Sequence, residues 1–155
     1  MREASNSSLH RWITDYAPLL VWVAVVLFLS SPQGSMTQTS RFIGPLLEFL
    51  FPTASADQLL AVHGLVRKCA HFAEYAVLGF LGFRAISKLA SRSTPSKWFW
   101  ASVVLVSIIA VVDEVNQSFE PSRTGSPWDV SIDLAGGVFA ALVCYVWARK
   151  RSRKK

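Results

Sequence analysis

Four apolar runs, each close to the length needed to cross a bilayer, leave this chain few folds to choose from. They cover roughly residues 16–31, 69–87, 98–112 and 130–148. A bilayer core takes about 20 apolar residues in a helix, and flanking aromatic and amphipathic residues extend the shorter runs. Trp98 and Trp100 open the third run, where indole rings favour the headgroup level. Four such runs in 155 residues leave little polar surface to dissolve a soluble helical bundle. The expected fold is all-α: a single-domain polytopic membrane protein with four transmembrane helices. An amphipathic or re-entrant segment lies between the first and second.

Charge placement orients the path. The tail after Ala148 holds Arg149, Lys150, Arg151, Arg153, Lys154 and Lys155 and no acid. The connection between the second and third runs holds Arg84, Lys88, Arg92 and Lys97, again with no acid. Positive loops stay in the cytoplasm. The connection between the third and fourth runs has Asp113, Glu114, Glu120 and Asp129 against Arg123 alone, so it belongs outside. Both termini are then cytoplasmic. The basic tail reads as a topogenic anchor facing anionic lipid, and nucleic acid is not an expected partner. Arg2 and Arg11 precede the first run, and Leu29-Ser30-Ser31 imitates a signal-peptidase site. The prolines and glycine that follow are equally well explained as a helix terminator and loop. Cys69 and Cys144 lie inside apolar runs and read as small buried hydrophobes without a disulfide.

Between the first and second runs, Phe42 to Phe51 is apolar but short, interrupted by Pro45 and closed by Pro52. It suits a half-buried interfacial helix or a re-entrant segment. Ser55 followed by Gln58 fits a capping box, so a helix is expected to begin near Ala56 and to run into the second apolar run or break near Gly64. Gly79 with Gly82, and Gly136 with Gly137 and Ala140, offer flat faces for close helix packing.

Ionisable groups beside a bilayer are costly and mark either a site or a demanding structural network. Two clusters qualify. Residues 113–133 carry five carboxylates, one arginine and two amides. Residues 67–75 read RKCAHFAEY. The topology brings both to the outward surface, where Arg67, Lys68, His71, Glu74, Asp113, Glu114, Asn116, Gln117, Arg123, Asp129 and Asp133 can converge. His71 and Glu74 share a helix face three residues apart and either tune each other for acid/base work or simply satisfy each other; Tyr75 can bond to the same patch. Asp113 and Glu114 are expected to end a helix, where carboxylates oppose the dipole and need cations. Asp129 suits an N-cap, and Asp133 lies one turn deeper, with Arg123 or Lys68 as its structural partner. Arg123, on a stiff turn shaped by Pro121, Gly125 and Pro127, can fork onto a carboxylate or phosphate, its own Asp113 or Asp129 included.

Three fixed cations (Arg67, Lys68, Arg123) face five carboxylates (Glu74, Asp113, Glu114, Asp129, Asp133). The excess demands a proton on a carboxylate, a charged His71, or a divalent cation. The spacing matches no metal motif, so no metal ligands and no cofactor are expected, with a hard ion such as magnesium or calcium as the minor alternative. Candidate catalytic residues are His71, Glu74, Asp113, Glu114 and Asp133. Candidate ligand-binding residues are Arg67, Lys68, Tyr75, Gln117, Arg123 and Asp129.

The two clusters resemble the VanZ-like family of bacterial membrane proteins. The resemblance rests on Arg67-Lys68, His71-Phe72, Glu74-Tyr75 and Leu78, then Asp113-Glu114, Gln117, Phe119, Pro121, Arg123, Gly125-Ser126, Asp129 and Gly136, and covers about residues 60–145. Asn116 stands where the family motif shows histidine, which removes a base or ligand, and Ser122 where it shows glycine. The family's namesake is associated with low-level resistance to the glycopeptide teicoplanin. The resemblance implies a multi-pass protein of the bacterial cytoplasmic membrane and cell envelope. Two functions follow from the residues. One is binding of a membrane lipid, a lipid-linked wall precursor or an amphiphilic antibiotic at an outward-facing polar pocket. The other is a small intramembrane acid/base enzyme acting on an envelope lipid or glycolipid. Ser118, Ser122 and Ser126 lack an evident base partner, which favours binding.

Overall fold

The computed structural model describes residues 2–31, 36–118 and 127–153, with side chains described from residue 12 onward except at 36–39 and 127. Five helices follow one another: α1 (Arg2–Ser30), α2 (Met36–Leu50), α3 (Ala56–Leu89), α4 (Pro95–Ser118) and α5 (Pro127–Ser152). Among the described residues there is no strand.

Among the described residues, three helices are long and apolar enough to cross a membrane, not the four expected: Trp12–Ser30 of α1, Pro95–Ser118 of α4 and Trp128–Ser152 of α5. The second apolar run falls short because α3 carries Arg67, Lys68, Glu74 and Arg84 as well as His71 along its length. Yet α3 is the hub of the bundle: it packs on α5, α4, α1 and α2, whereas among the described residues α2 packs on α3 alone.

Polarity runs inside out. Ser102, Asp113, Gln117 and Asp133 are buried among Val26, Tyr75, Leu78, Val106 and Ala110. The outer faces carry Leu20, Phe28, Val104, Ile108, Val111, Phe139, Val143 and Trp147, all exposed. Apolar area of this extent facing outward marks a surface that meets lipid or a partner and not water.

The helices close where small residues allow it. A Cβ built on Gly79 would stand 2.2 Å from the Gly137 carbonyl oxygen, and one on Gly136 would stand 2.2 Å from the Phe72 carbonyl oxygen. A Cβ on Gly137 would meet Val106 of α4 at 2.4 Å. The glycines thus bring the backbones of α3 and α5 into contact, as their spacing predicts.

Local signals behave as read at most helix ends. Ser55 caps α3 with a complete capping box: its hydroxyl accepts from the Gln58 N–H, and its own N–H donates to Gln58 Oε1 at 2.9 Å. α3 then runs without a break through Gly64, where an added Cβ would meet nothing. α2 also continues through Pro45, where interruption was expected; the helix there goes without one backbone N–H donor. Phe42, Leu46 and Phe49 lie on the exposed side of α2, and Leu47 is buried.

α1 is an integral part of the bundle. Val26 is in the core, Trp22 Nε1 donates to the Glu74 carbonyl at 2.9 Å, and Ser30 Oγ donates to the Asp113 carbonyl at 3.2 Å. At the start of the Trp12–Ser30 span of α1, Arg84 donates to the Thr14 carbonyl at 2.8 Å and lies 4.0 Å from Asp15.

Candidate functional site

Three helices each contribute one polar side chain to a buried cluster near the Asp113 end of α4. His71 comes from the middle of α3, Asp113 from the last turns of α4 and Asp133 from the second turn of α5. Asp113 and Asp133 are each 2% exposed, so neither is solvated in the usual sense. Ligand-type atoms of the three all lie within 4.8 Å of one another.

His71 Nδ1 and Asp133 Oδ1 are 3.2 Å apart. That is ion-pair distance, but the ring and carboxylate are not aligned as a hydrogen bond requires. Asp113 Oδ2 accepts from Gln117 Nε2 at 2.9 Å, one helical turn on, which fixes the carboxylate's orientation. Among the described residues, its second oxygen, Oδ1, and the hydroxyl of Tyr75 make no well-formed hydrogen bond. That hydroxyl faces Asp113 and is close enough to feel the charges of both Asp113 and Asp133. Four buried polar atoms from four residues thus meet in one place without well-aligned bonds among the described residues: His71 Nδ1, Tyr75 Oη, Asp113 Oδ1 and Asp133 Oδ1. Buried polar groups are nearly always bonded, so such a concentration points to something that completes it.

A cavity of about 150 Å³ leads to the cluster. α1 supplies Val26, Leu29 and Ser30 to its wall, α2 supplies Ile43, and α3 supplies His63, Val66, Arg67, Ala70, His71 and Glu74; Asp113 is reached from α4. One side is apolar and the other charged. At about 30 Å³ per water, it holds a few waters or a small polar headgroup. A larger cavity of about 750 Å³ lies at the opposite end of the bundle, between Phe83, Lys88, Trp98 and Trp147, and touches none of these residues.

Several residues take positions other than those expected. His71 faces Asp133 and not Glu74; Glu74 lines the cavity and its carbonyl accepts from Trp22. Asp133 has His71 as a partner; of the two partners expected, Lys68 is not in contact with it and Arg123 lies outside the described residues. Lys68 is exposed and enters none of the described ion pairs. Asp113 and Glu114 do not end their helix, because α4 continues to Ser118; Asp113 meets a side-chain amide before it meets the dipole. Asp129 lies inside the first turn of α5, which begins at Pro127, so it is not the N-cap. There it still complements the positive end of the helix dipole. Asn116 is exposed, and Glu114 is half-buried. Cys69 is exposed on α3 and Cys144 half-buried; both are free thiols, but Cys69 is not the buried hydrophobe expected. Arg123, with Phe119, Pro121, Ser122, Gly125 and Ser126, lies outside the described residues. Ser30 and Trp22 were missed altogether. Trp22 sits in an unbroken apolar run, and Ser30 next to another serine at its end, so nothing in the pattern sets them apart.

No curated protein and no solved structure matches the chain. One family model does, described as VanZ/LLP1, over residues 16–148. That span takes in every helix that contributes to the cluster, and with it shown, the chain belongs to the VanZ/LLP1 family.

Proposed function

We propose that the protein is an integral protein of the bacterial cytoplasmic membrane that binds the polar head of an envelope amphiphile in the cavity between α1, α2 and α3. The observation that carries this reading is the cavity itself, apolar along Val26, Leu29, Ile43 and Val66 and polar at Arg67, His71, Glu74 and Asp113. An amphiphile matches that division. Its acyl part would follow the α2–α3 seam, and its headgroup would meet Arg67, whose guanidinium forks well onto phosphate or carboxylate. The occupant in this reading is a membrane lipid or lipid-linked wall precursor; an amphiphilic antibiotic, and hence glycopeptide resistance, is the narrower form of it.

In this reading α3 crosses the membrane together with α1, α4 and α5. The support is its contact with all three and the placement of His71 against Asp133 of α5 and of Arg84 against Asp15 of α1, polar groups that a hydropathy average counts against it. Both termini are then cytoplasmic, as the basic tail and the basic α3–α4 connection require, and the cluster lies toward the outer leaflet.

A photo-crosslinking phospholipid in proteoliposomes tests the proposal. Adducts should concentrate around Ile43 and Val66, and Arg67→Ala should reduce them several-fold. Adducts spread evenly over all outer faces, unchanged by Arg67→Ala, would refute it.

The His71–Asp133 pair beside a partly unsatisfied Asp113 supports a second reading, acid/base chemistry on an envelope lipid or glycolipid. Asp113→Glu and Glu74→Asp separate the two. Binding tolerates these exchanges in part, whereas catalysis collapses while the protein level stays normal.

A further inference from the structure

We propose that His71, Asp113 and Asp133 bind a divalent transition-metal cation, with the Tyr75 hydroxyl in contact with it directly or through one water. The inference goes beyond the amphiphile reading and does not depend on it, since the ion needs no lipid to bind.

Charge is the first argument. Asp113 and Asp133 are each 2% exposed, and with His71 neutral the three side chains carry minus two. Charging His71 compensates Asp133, while the partners described for Asp113 are neutral: the Gln117 amide and the neighbouring Tyr75 hydroxyl. A divalent ion cancels both carboxylates and leaves the imidazole neutral, the form in which it acts as a ligand.

Geometry is the second. Tetrahedral ligands at bond lengths of about 2.0–2.1 Å stand roughly 3.3–3.4 Å apart. His71 Nδ1 and Asp133 Oδ1 are 3.2 Å apart, in ion-pair range yet not aligned as a hydrogen bond. That is the relation of two ligands of one ion. The third donor, from Asp113, lies within 4.8 Å of the other two.

The third argument is independent of the acidic cluster. Tyr75 is fully buried, and among the described residues its hydroxyl makes no well-formed hydrogen bond. It faces Asp113 and feels both carboxylates, which suits a group able to turn to the fourth position or to a bound water. Gln117 supplies the outer support that metal-binding carboxylates usually have. The cavity reaching His71 and Asp113 is the entry path. Only three or four donors are present, and one is an imidazole. Calcium needs six to eight oxygens, whereas imidazole with carboxylate suits zinc, manganese or iron.

The test uses the full-length protein in detergent, stripped with a chelator and titrated calorimetrically with Zn²⁺, Mn²⁺, Mg²⁺ and Ca²⁺. The expected result is one Zn²⁺ or Mn²⁺ per chain, at least ten-fold tighter than Mg²⁺ or Ca²⁺, with a rise in melting temperature. Asp113→Asn and Asp133→Asn should each weaken it a hundred-fold or more. Gln117→Ala should weaken it about ten-fold, and the exposed Asp57→Asn should change nothing. Where a variant does not fold, the Co²⁺-loaded wild-type protein decides: a tetrahedral ligand field without a thiolate charge-transfer band supports the site. No uptake by the wild type, equal affinity in the aspartate variants, or a thiolate band would overturn it.

Discussion

Gly136→Ala puts the packing of α3 on α5, and through it the polar cluster, to a quantitative test. The new Cβ would stand 2.2 Å from the Phe72 carbonyl oxygen, a backbone atom that cannot swing aside. Ordinary contact needs about 3.4 Å or more, so the two helices must separate by about 1 Å at this level. Phe72 adjoins His71, and Gly136 lies one turn from Asp133. The 3.2 Å contact between that pair then lengthens to roughly 4 Å, the outer limit of an ion pair. Overpacking of this sort costs about 1–3 kcal/mol. For a chain of this size each kcal/mol moves the melting temperature by about 2–4 °C, so a fall of about 3–10 °C is expected. The control is Gly64→Ala in α3, where a Cβ meets nothing within 4 Å. Replacing that glycine in a helix should stabilise by about 0.4–1 kcal/mol. Tryptophan fluorescence during a thermal ramp in detergent measures both. A Gly136→Ala protein that melts with the wild type, or together with Gly64→Ala, would refute the close contact and the coupling to the cluster.

Single cysteines at Ser118 and Ser152, in a background lacking Cys69 and Cys144, should react with an impermeant maleimide from opposite sides of the membrane, Ser118 from outside. A double-mutant cycle on His71→Leu and Asp133→Leu, read by thermal unfolding, should show coupling of about 0.5–3 kcal/mol; additive losses would mean that the 3.2 Å contact carries no energy. Ser55→Ala removes the capping hydroxyl at a cost of about 0.5–2 kcal/mol. Hydrogen exchange should then speed up over the first turn of α3 while the amides around Tyr75 stay protected.

The convergence of the histidine turn with the two aspartates was legible because hydropathy and charge fix helix direction, and direction decides which ends meet. Ser55 was legible because a capping box is a local signal. The partners were not legible. Whether His71 faces Glu74, three residues away, or Asp133 on another helix depends on how α3 is rotated, and the Gly79–Gly137 contact sets that rotation. The same limit hid the length of α4: Asp113 and Glu114 follow an apolar run and look like its end, yet the helix continues for another turn through Gln117, which the Asp113 carboxylate needs. The count of membrane-crossing helices differed for a related reason. Side chains that face inward weigh as heavily in a hydropathy average as those that face lipid.

The membrane-spanning part of α1 is held at three heights: to Arg84 at Thr14, through Trp22, and through Ser30 at its end. α2, only 15 residues long, rests among the described residues on α3 alone. Of the walls around the cavity, α2 is therefore the one that can shift at the least expense. A mobile visitor from the bilayer would enter by displacing Ile43, leaving the aspartates and their histidine undisturbed. Traffic to the polar heart of the bundle would be governed from its periphery.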